Sequence, residues 1–190
     1  MSVTDRELVE RVRRGDRDAF GLLVQAYQRR LFGLTLMMVR QPPAAEEVTQ
    51  DAFVRAYTHI DRYDSARPFY PWIAAIAVRL AQNWLRQHGV SQRREGTPLD
   101  SAAEPVATAA ALTTLIDDER GRALWTAVSR LPSGERTAVM LYYRDELAVG
   151  DIALALGVTT GTIKTLLFRA RRHLRERLVA ERQRAVEVIA

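Results

Sequence analysis

Apolar residues recur at threes and fours along most of this chain, and no two-residue alternation of apolar and polar positions runs long enough to mark a strand. Thr4 and Glu7 stand at capping-box spacing, and Leu8, Val9 and Val12 follow as one stripe that Gly15 closes. Asp16 is placed to cap a long helix over Arg17–Val39, whose inward face is Phe20, Leu23, Val24, Tyr27, Leu31, Leu34 and Met38. Pro42-Pro43 is expected to stop it. A third helix is predicted over 44–57, with Val48, Ala52 and Phe53 inward and Glu46, Glu47, Gln50, Asp51 and Arg55 largely outward. The stretch 61–71, rich in aromatics and proline, reads as a structured loop. A fourth helix follows over 71–87, anchored by Trp72, Ile73, Ile76, Ala77, Leu80 and Trp84, with Gly89 placed to end it.

The texture then changes. Gly, Pro, Ser, Thr and Ala dominate 96–112, and no Lys or Arg occurs between Thr97 and Glu119, while Asp100, Glu104, Asp117, Asp118 and Glu119 are acidic. Residues 94–114 are therefore expected to be an acidic, flexible linker. Helical periodicity returns near Leu115, with Ala123, Leu124, Ala127, Val128 and Leu131, until Pro132 breaks it. Ser133 is expected to cap a helix reaching Tyr143, and two more are predicted over Val149–Leu156 and from Thr160 to about Val179. The predicted fold is all-α, with two small helical domains, 1–93 and 115–190, joined by that linker.

The last two helices carry the sharpest local signal. Gly157 follows a short helix where the chain must turn left-handed, and Ala153 is small where two helices would cross. Ile152, Leu156, Val158, Ile163 and Leu167 are assigned to the buried side, and Thr159 or Thr160 caps the second helix. Its other face carries Thr160, Lys164, Thr165, Phe168 and Arg172, and Arg169, Arg171, Arg172, Arg175 and Arg177 form a dense basic tail. This is the pattern of a helix-turn-helix, in which short polar residues reach base edges and arginines hold phosphates.

Charge agrees, weakly. The 190 residues carry a formal net charge of +5 with pI near 10.1, which favours a polyanionic partner, and Lys164 is the only lysine. There are no cysteines, and His59, His88 and His173 are scattered without ligand spacing, so neither disulfide nor metal chemistry is expected. No nucleophile–base arrangement or phosphate-cradling glycine loop is present, so no catalytic residue and no cofactor is expected. The longest apolar run, 31–39, is too short for a bilayer span, and the N-terminus lacks an export pattern. A cytoplasmic protein is expected.

Both halves together resemble the extracytoplasmic-function group of sigma-70 family sigma factors. The C-terminal likeness runs through Leu131-Pro-Ser-Gly-Glu-Arg, Asp151-Ile-Ala-Leu-Ala-Leu-Gly-Val158, Gly161-Thr-Ile-Lys164 and Arg169-Ala-Arg-Arg-His-Leu174. The N-terminal likeness is Ala45-Glu-Glu-Val-Thr-Gln-Asp-Ala-Phe53, with Phe69-Tyr-Pro-Trp-Ile73 and Ile76-Ala77. The resemblance implies a non-catalytic transcription initiation factor. Residues 1–93 would be sigma region 2, binding the β′ clamp helices of core RNA polymerase through Glu46, Glu47, Gln50 and Asp51. The same domain would open the −10 element with Arg62, Tyr63, Arg67, Phe69, Tyr70, Trp72, Arg79, Asn83 and Arg86, although Phe69 and Trp72 serve equally as core. Residues 115–190 would be region 4, reading the −35 element through Thr160, Thr162, Lys164, Thr165, Phe168, Arg169 and Arg172 and sitting on the β flap.

An anti-sigma factor is the implied regulator, without membrane insertion of this chain. Free of polymerase, the two domains would move independently or pack together in an inhibited state. Arg79 and Asn83 stand where the family commonly has asparagine and then aspartate, and Leu166 stands where arginine is frequent. These departures imply a different −10 preference or a heavier reliance on phosphates, and one −35 contact fewer. The rival reading is a helix-turn-helix repressor or activator that never joins polymerase, with the N-terminal domain as a dimerisation or ligand module.

Overall fold

The computed structural model describes residues 4–88 and 119–189, with side chains over 4–88 and 124–179. The expected linker and the stop at Gly89 lie outside the described residues. The first bundle opens on α1 (Asp5–Arg13), where Thr4 Oγ1 accepts from the Glu7 N–H and the Glu7 carboxylate accepts from the Thr4 N–H at 2.8 Å. In α2 (Arg17–Val39), Asp16 accepts from the Ala19 N–H at 3.1 Å. That helix ends with Arg40 in the left-handed region at φ 62°.

Helix α3 (Pro42–Thr58) begins two residues earlier than predicted, because Pro42 and Pro43 fill first-turn positions where a missing N–H costs nothing. The proline pair starts the next helix as well as following the previous one. Ala44, Ala45, Ala52 and Ala56 are buried and let α3 lie close to its neighbours. The hydroxyls of Thr35 and Thr49 meet at 2.8 Å, and both donate to the Ala45 carbonyl. A short 3-10 turn (Ile60–Arg62) leads through a loop into α4 (Phe69–Gln87). Here too the helix starts two residues before the expected point, with Pro71 in its first turn.

The second bundle holds α5 (Glu119–Ser129), α6 (Ser133–Val139), α7 (Val149–Leu156) and α8 (Thr160–Ile189). Ser133 is not the cap. Pro132 takes that place, and the Ser133 carbonyl accepts from Thr137 Oγ1 at 2.9 Å. Nor does α6 reach Tyr143 as an ordinary helix. It widens into a π turn over Met140–Arg144, where the Asp145 N–H bonds the Met140 carbonyl five residues back at 3.0 Å. The Asp145 carboxylate then lies against Arg30 and Tyr70 of the first bundle. Val158, assigned to the buried side, is 40% exposed, because it sits in the turn after Gly157. Helix α8 runs ten residues past its expected end.

The bundles are packed against one another. Helix α4 touches α7 and α2 touches α6, and buried residues of both contribute to one hydrophobic core.

Candidate polymerase and promoter interfaces

Glu46, Glu47, Gln50 and Asp51 are all exposed on α3, while Val48, Ala52 and Phe53 behind them are buried. Period and burial agree, so these four residues share one outward face. Val54 extends the same face and is 61% exposed, an apolar position beside the acidic residues that sequence reasoning missed. Phe53 is held from behind by an edge-on contact with Phe20, 6.4 Å between ring centroids.

The loop after α3 is pinned by a residue far away in sequence. Arg13, at the end of α1, donates to the carbonyls of Ile60 and Tyr63 and meets Ser65 Oγ at 3.4 Å, with Glu10 pairing its guanidinium at 3.0 Å. Nothing in the sequence separates Arg13 from its many arginine neighbours.

The expected −10 residues divide sharply in burial. Arg62, Arg67, Arg79 and Arg86 are exposed, and Asn83 is half-buried and accepts from Arg86. Tyr63, Phe69 and Tyr70 are buried, with exposures of 4%, 0% and 3%. Tyr63 donates to the Arg67 carbonyl, and its ring stands 5.5 Å from Phe69 and 5.1 Å from Trp72. Desolvation pushes its phenol above the ordinary value. Trp72 is half-buried and is the one expected aromatic with an open edge. As placed, the other three shape the loop rather than offering a face to a base. The physical reason is area: a ring seated in a core recovers more than one left in water.

The recognition helix behaves oppositely. Gly157 adopts φ 68°, and the next cap is Thr159, whose Oγ1 accepts from the Thr162 N–H at 3.2 Å. Ile163, Leu167 and Ala170 point inward. Thr160, Thr162, Lys164, Thr165, Phe168, Arg169 and Arg172 are all exposed, with Phe168 at 64%. Arg172 faces Glu176 at 3.8 Å, an exposed pair that weakly offsets its charge. Leu166 is half-buried against the core, so the position where arginine is frequent has become a packing position.

Behind that helix lies an open, mainly apolar groove of about 720 Å³, floored by Leu124, Trp125, Val128, Leu174 and Leu178. Arg144, Arg171 and Arg175 line it too, and Arg171 donates to Tyr143 Oη at 2.8 Å. Among the described residues no cluster of His, Cys, Asp and Glu has metal-site geometry, and no single helix is long and apolar enough to cross a membrane.

An all-helical chain with an acidic helix face at one end and a cationic helix-turn-helix at the other is the architecture of a two-domain initiation factor. Comparison with known proteins agrees. The family model for Sigma-70 region 2 matches residues 23–90, and that for Sigma-70, region 4 matches residues 121–174. The RNA polymerase sigma-H factor of Pseudomonas aeruginosa is 33% identical over 88% of this chain and 90% of its own. The ECF RNA polymerase sigma factor SigW of Bacillus subtilis is 30% identical over 94% of this chain and 98% of its own. CnrH, solved in complex with the cytosolic domain of CnrY, shares the fold with a TM-score of 0.64 at 24% identity, over 93% of this chain and 97% of that one. The chain belongs to the sigma-70 family, in its extracytoplasmic-function group. It is a non-catalytic factor that associates with RNA polymerase and recognises promoter DNA, and the reading as a polymerase-independent repressor is set aside. Such factors act in the cytoplasm.

Proposed function

We propose a division of labour among three surfaces. The face of Glu46, Glu47, Gln50 and Asp51, extended by exposed Val54, docks on the β′ clamp helices of core polymerase. The carboxylates steer a basic partner, and the apolar Val54 contributes once water leaves. The recognition helix enters the major groove of the −35 element. Thr160, Thr162, Thr165 and Phe168 meet base edges and thymine methyls, while Lys164, Arg169 and Arg172 hold phosphates.

Arg62, Arg67, Arg79 and Arg86 hold the backbone of the separated −10 strand, with Asn83 and the open edge of Trp72 as the base-reading elements. Tyr63, Phe69 and Tyr70 act behind them as scaffold. The groove floored by Trp125 and Leu174 receives an apolar helix of the β flap. An anti-sigma factor acts by covering the same surfaces. The domain limits 1–93 and 115–190, with 94–114 between them, are those of regions 2 and 4 in this scheme.

One observation carries this reading most of the way: two exposed helix faces of opposite charge, acidic on α3 and cationic on α8, in the order region 2 then region 4. Run-off transcription with purified core enzyme tests it. Asp51→Lys should abolish core binding and spare binding to a −35 duplex, and Lys164→Ala should do the reverse. Equal loss of both activities in either variant would defeat the assignment.

A further inference from the structure

Lys164 is the only lysine among the 28 Lys and Arg residues of the chain, and it stands on the recognition helix. Lysine and arginine both hold phosphate by charge, but they differ as nucleophiles. A guanidinium is delocalised and keeps its proton in water, whereas an amine that has released its proton attacks activated acyl groups. The one side-chain amine of the protein thus lies on its most exposed cationic helix.

The structure leaves that amine open. Lys164 is exposed on the second turn of α8, and among the described residues it makes no hydrogen bond or ion pair. Its cationic neighbours are better held: Arg171 donates to Tyr143 Oη at 2.8 Å, and Arg172 faces Glu176 at 3.8 Å. Along the chain no Asp or Glu occurs from Ile152 to Arg175, while Arg169, Arg171, Arg172 and Arg175, all exposed, follow Lys164 within about three turns. A small anion is therefore drawn towards this stretch and meets no carboxylate on it. Nor does the Lys164 side chain support packing, since Ile163, Leu167 and Ala170 carry the buried side of α8.

Resting on the reading of α8 as the −35 helix, we propose that Lys164 is a site of acylation by small acyl phosphates, and that the modification loosens the hold of the factor on the −35 element. The deprotonated amine attacks the carbonyl carbon of the mixed anhydride. A C–N bond forms, the C–O bond to the phosphate breaks, and phosphate leaves with the electron pair. The proton lost by the attacking nitrogen passes to solvent. The arginines attract the phosphate of the donor and cannot themselves take the acyl group. The product is a neutral amide, so one cation is removed from the face that meets DNA phosphates. The acidic α3 face carries no lysine, so attachment to polymerase survives. The acylated factor still occupies core enzyme but grips its upstream promoter element less firmly.

Mass spectrometry of the full-length protein treated with acetyl phosphate tests the first half. A peptide of residues 160–168, which holds the same amine without the arginines, is the reference. Lys164 in the protein should be acetylated about fivefold faster than in the peptide, with the advantage lost in high salt and absent for a neutral acetyl thioester. The treated protein, assembled with core polymerase, should then bind a promoter carrying the −35 element about fivefold more weakly, with a salt slope smaller by about one. Its affinity for core polymerase should not change. Lys164→Arg should abolish the response to treatment, whatever its own starting affinity.

Equal rates in protein and peptide would overturn the proposal, as would a response to treatment that persists in Lys164→Arg. Loss of core-polymerase affinity on treatment would also overturn it, because damage elsewhere would then explain the weaker promoter binding. Unchanged promoter affinity after full acetylation of Lys164 sinks the switch in either of two ways. If untreated Lys164→Ala binds the −35 element weakly, acylation alone is at fault and the promoter reading stands. If Lys164→Ala binds as the parent does, the assignment of Lys164 to the −35 element falls with it.

Discussion

The two regions proposed to face DNA are made on opposite plans. The recognition helix is fixed by its own neighbourhood: a left-handed glycine, a threonine cap three residues before the end of the first turn, and buried Ile163 and Leu167 on one side. Thr160, Thr162, Lys164 and Thr165 are consequently exposed on its other side. The −10 loop is fixed from a distance. Its aromatics go inward, and Arg13, about fifty residues upstream, ties its backbone in place. A preformed duplex can be read by a helix that already presents its side chains. A strand that must be unpaired first needs a rigid receiving surface, and here core packing supplies the rigidity.

If that contrast holds, truncations behind the loop should cost stability, whereas truncations on the recognition helix should cost only binding. Tyr63→Ala is the largest case. It removes a ring packed against Phe69 and Trp72 and should destabilise the first bundle by about 3–5 kcal/mol in chemical denaturation, as core aromatics do. Arg13→Ala comes next. Losing its bonds to the Ile60 and Tyr63 carbonyls should cost about 1.5–3 kcal/mol and weaken binding of a single-stranded −10 oligonucleotide by holoenzyme. Binding to a −35 duplex should not change.

Lys164→Ala should leave unfolding within about 0.5 kcal/mol of the parent, as exposed substitutions generally do. It should lower −35 affinity and reduce the salt slope by about one counterion. The smallest effect concerns pH. Hydrogen bonds from Thr4 hold the Glu7 carboxyl below its ordinary value, and hydrogen bonds from Arg11 and Ala19 do the same for Asp16. A lowered carboxyl pKa stabilises the fold above the ordinary carboxylate value and loses that contribution as pH falls through the lowered one. Helix α1 should therefore fray on acidification below about pH 4, seen by amide exchange, before the recognition helix does.

The same contrast explains what was legible in the sequence. Elements set by near neighbours came out at their residues: the Thr4 capping box, the Asp16 cap of α2, helix α7 and the start of α8. The exposed face of the recognition helix followed from its period. Elements set by partners far along the chain did not. Tyr63, Phe69 and Tyr70 carry the same letters whether they stack on a base or fill a core, and only the fold sends them inward. The π turn after Val139, the role of Arg13 and the buried Asp145 are likewise invisible to periodicity, because each answers to a residue tens of positions away. Leu166 is the instructive intermediate. It was recognisable as a departure from arginine, but its seat against the core appears only in three dimensions.

In this scheme one chain reads two separated promoter elements through these two differently built regions. Photo-crosslinking decides between one and two reading regions, with a photoreactive residue replacing Thr165 in one protein and Arg67 in another, each assembled with core polymerase on the same promoter. One crosslink should fall in the −35 duplex and one in the non-template strand of the −10 element, about 25 base pairs apart. Crosslinks from both positions within a single short stretch, or from Arg67 to duplex DNA alone, would contradict it.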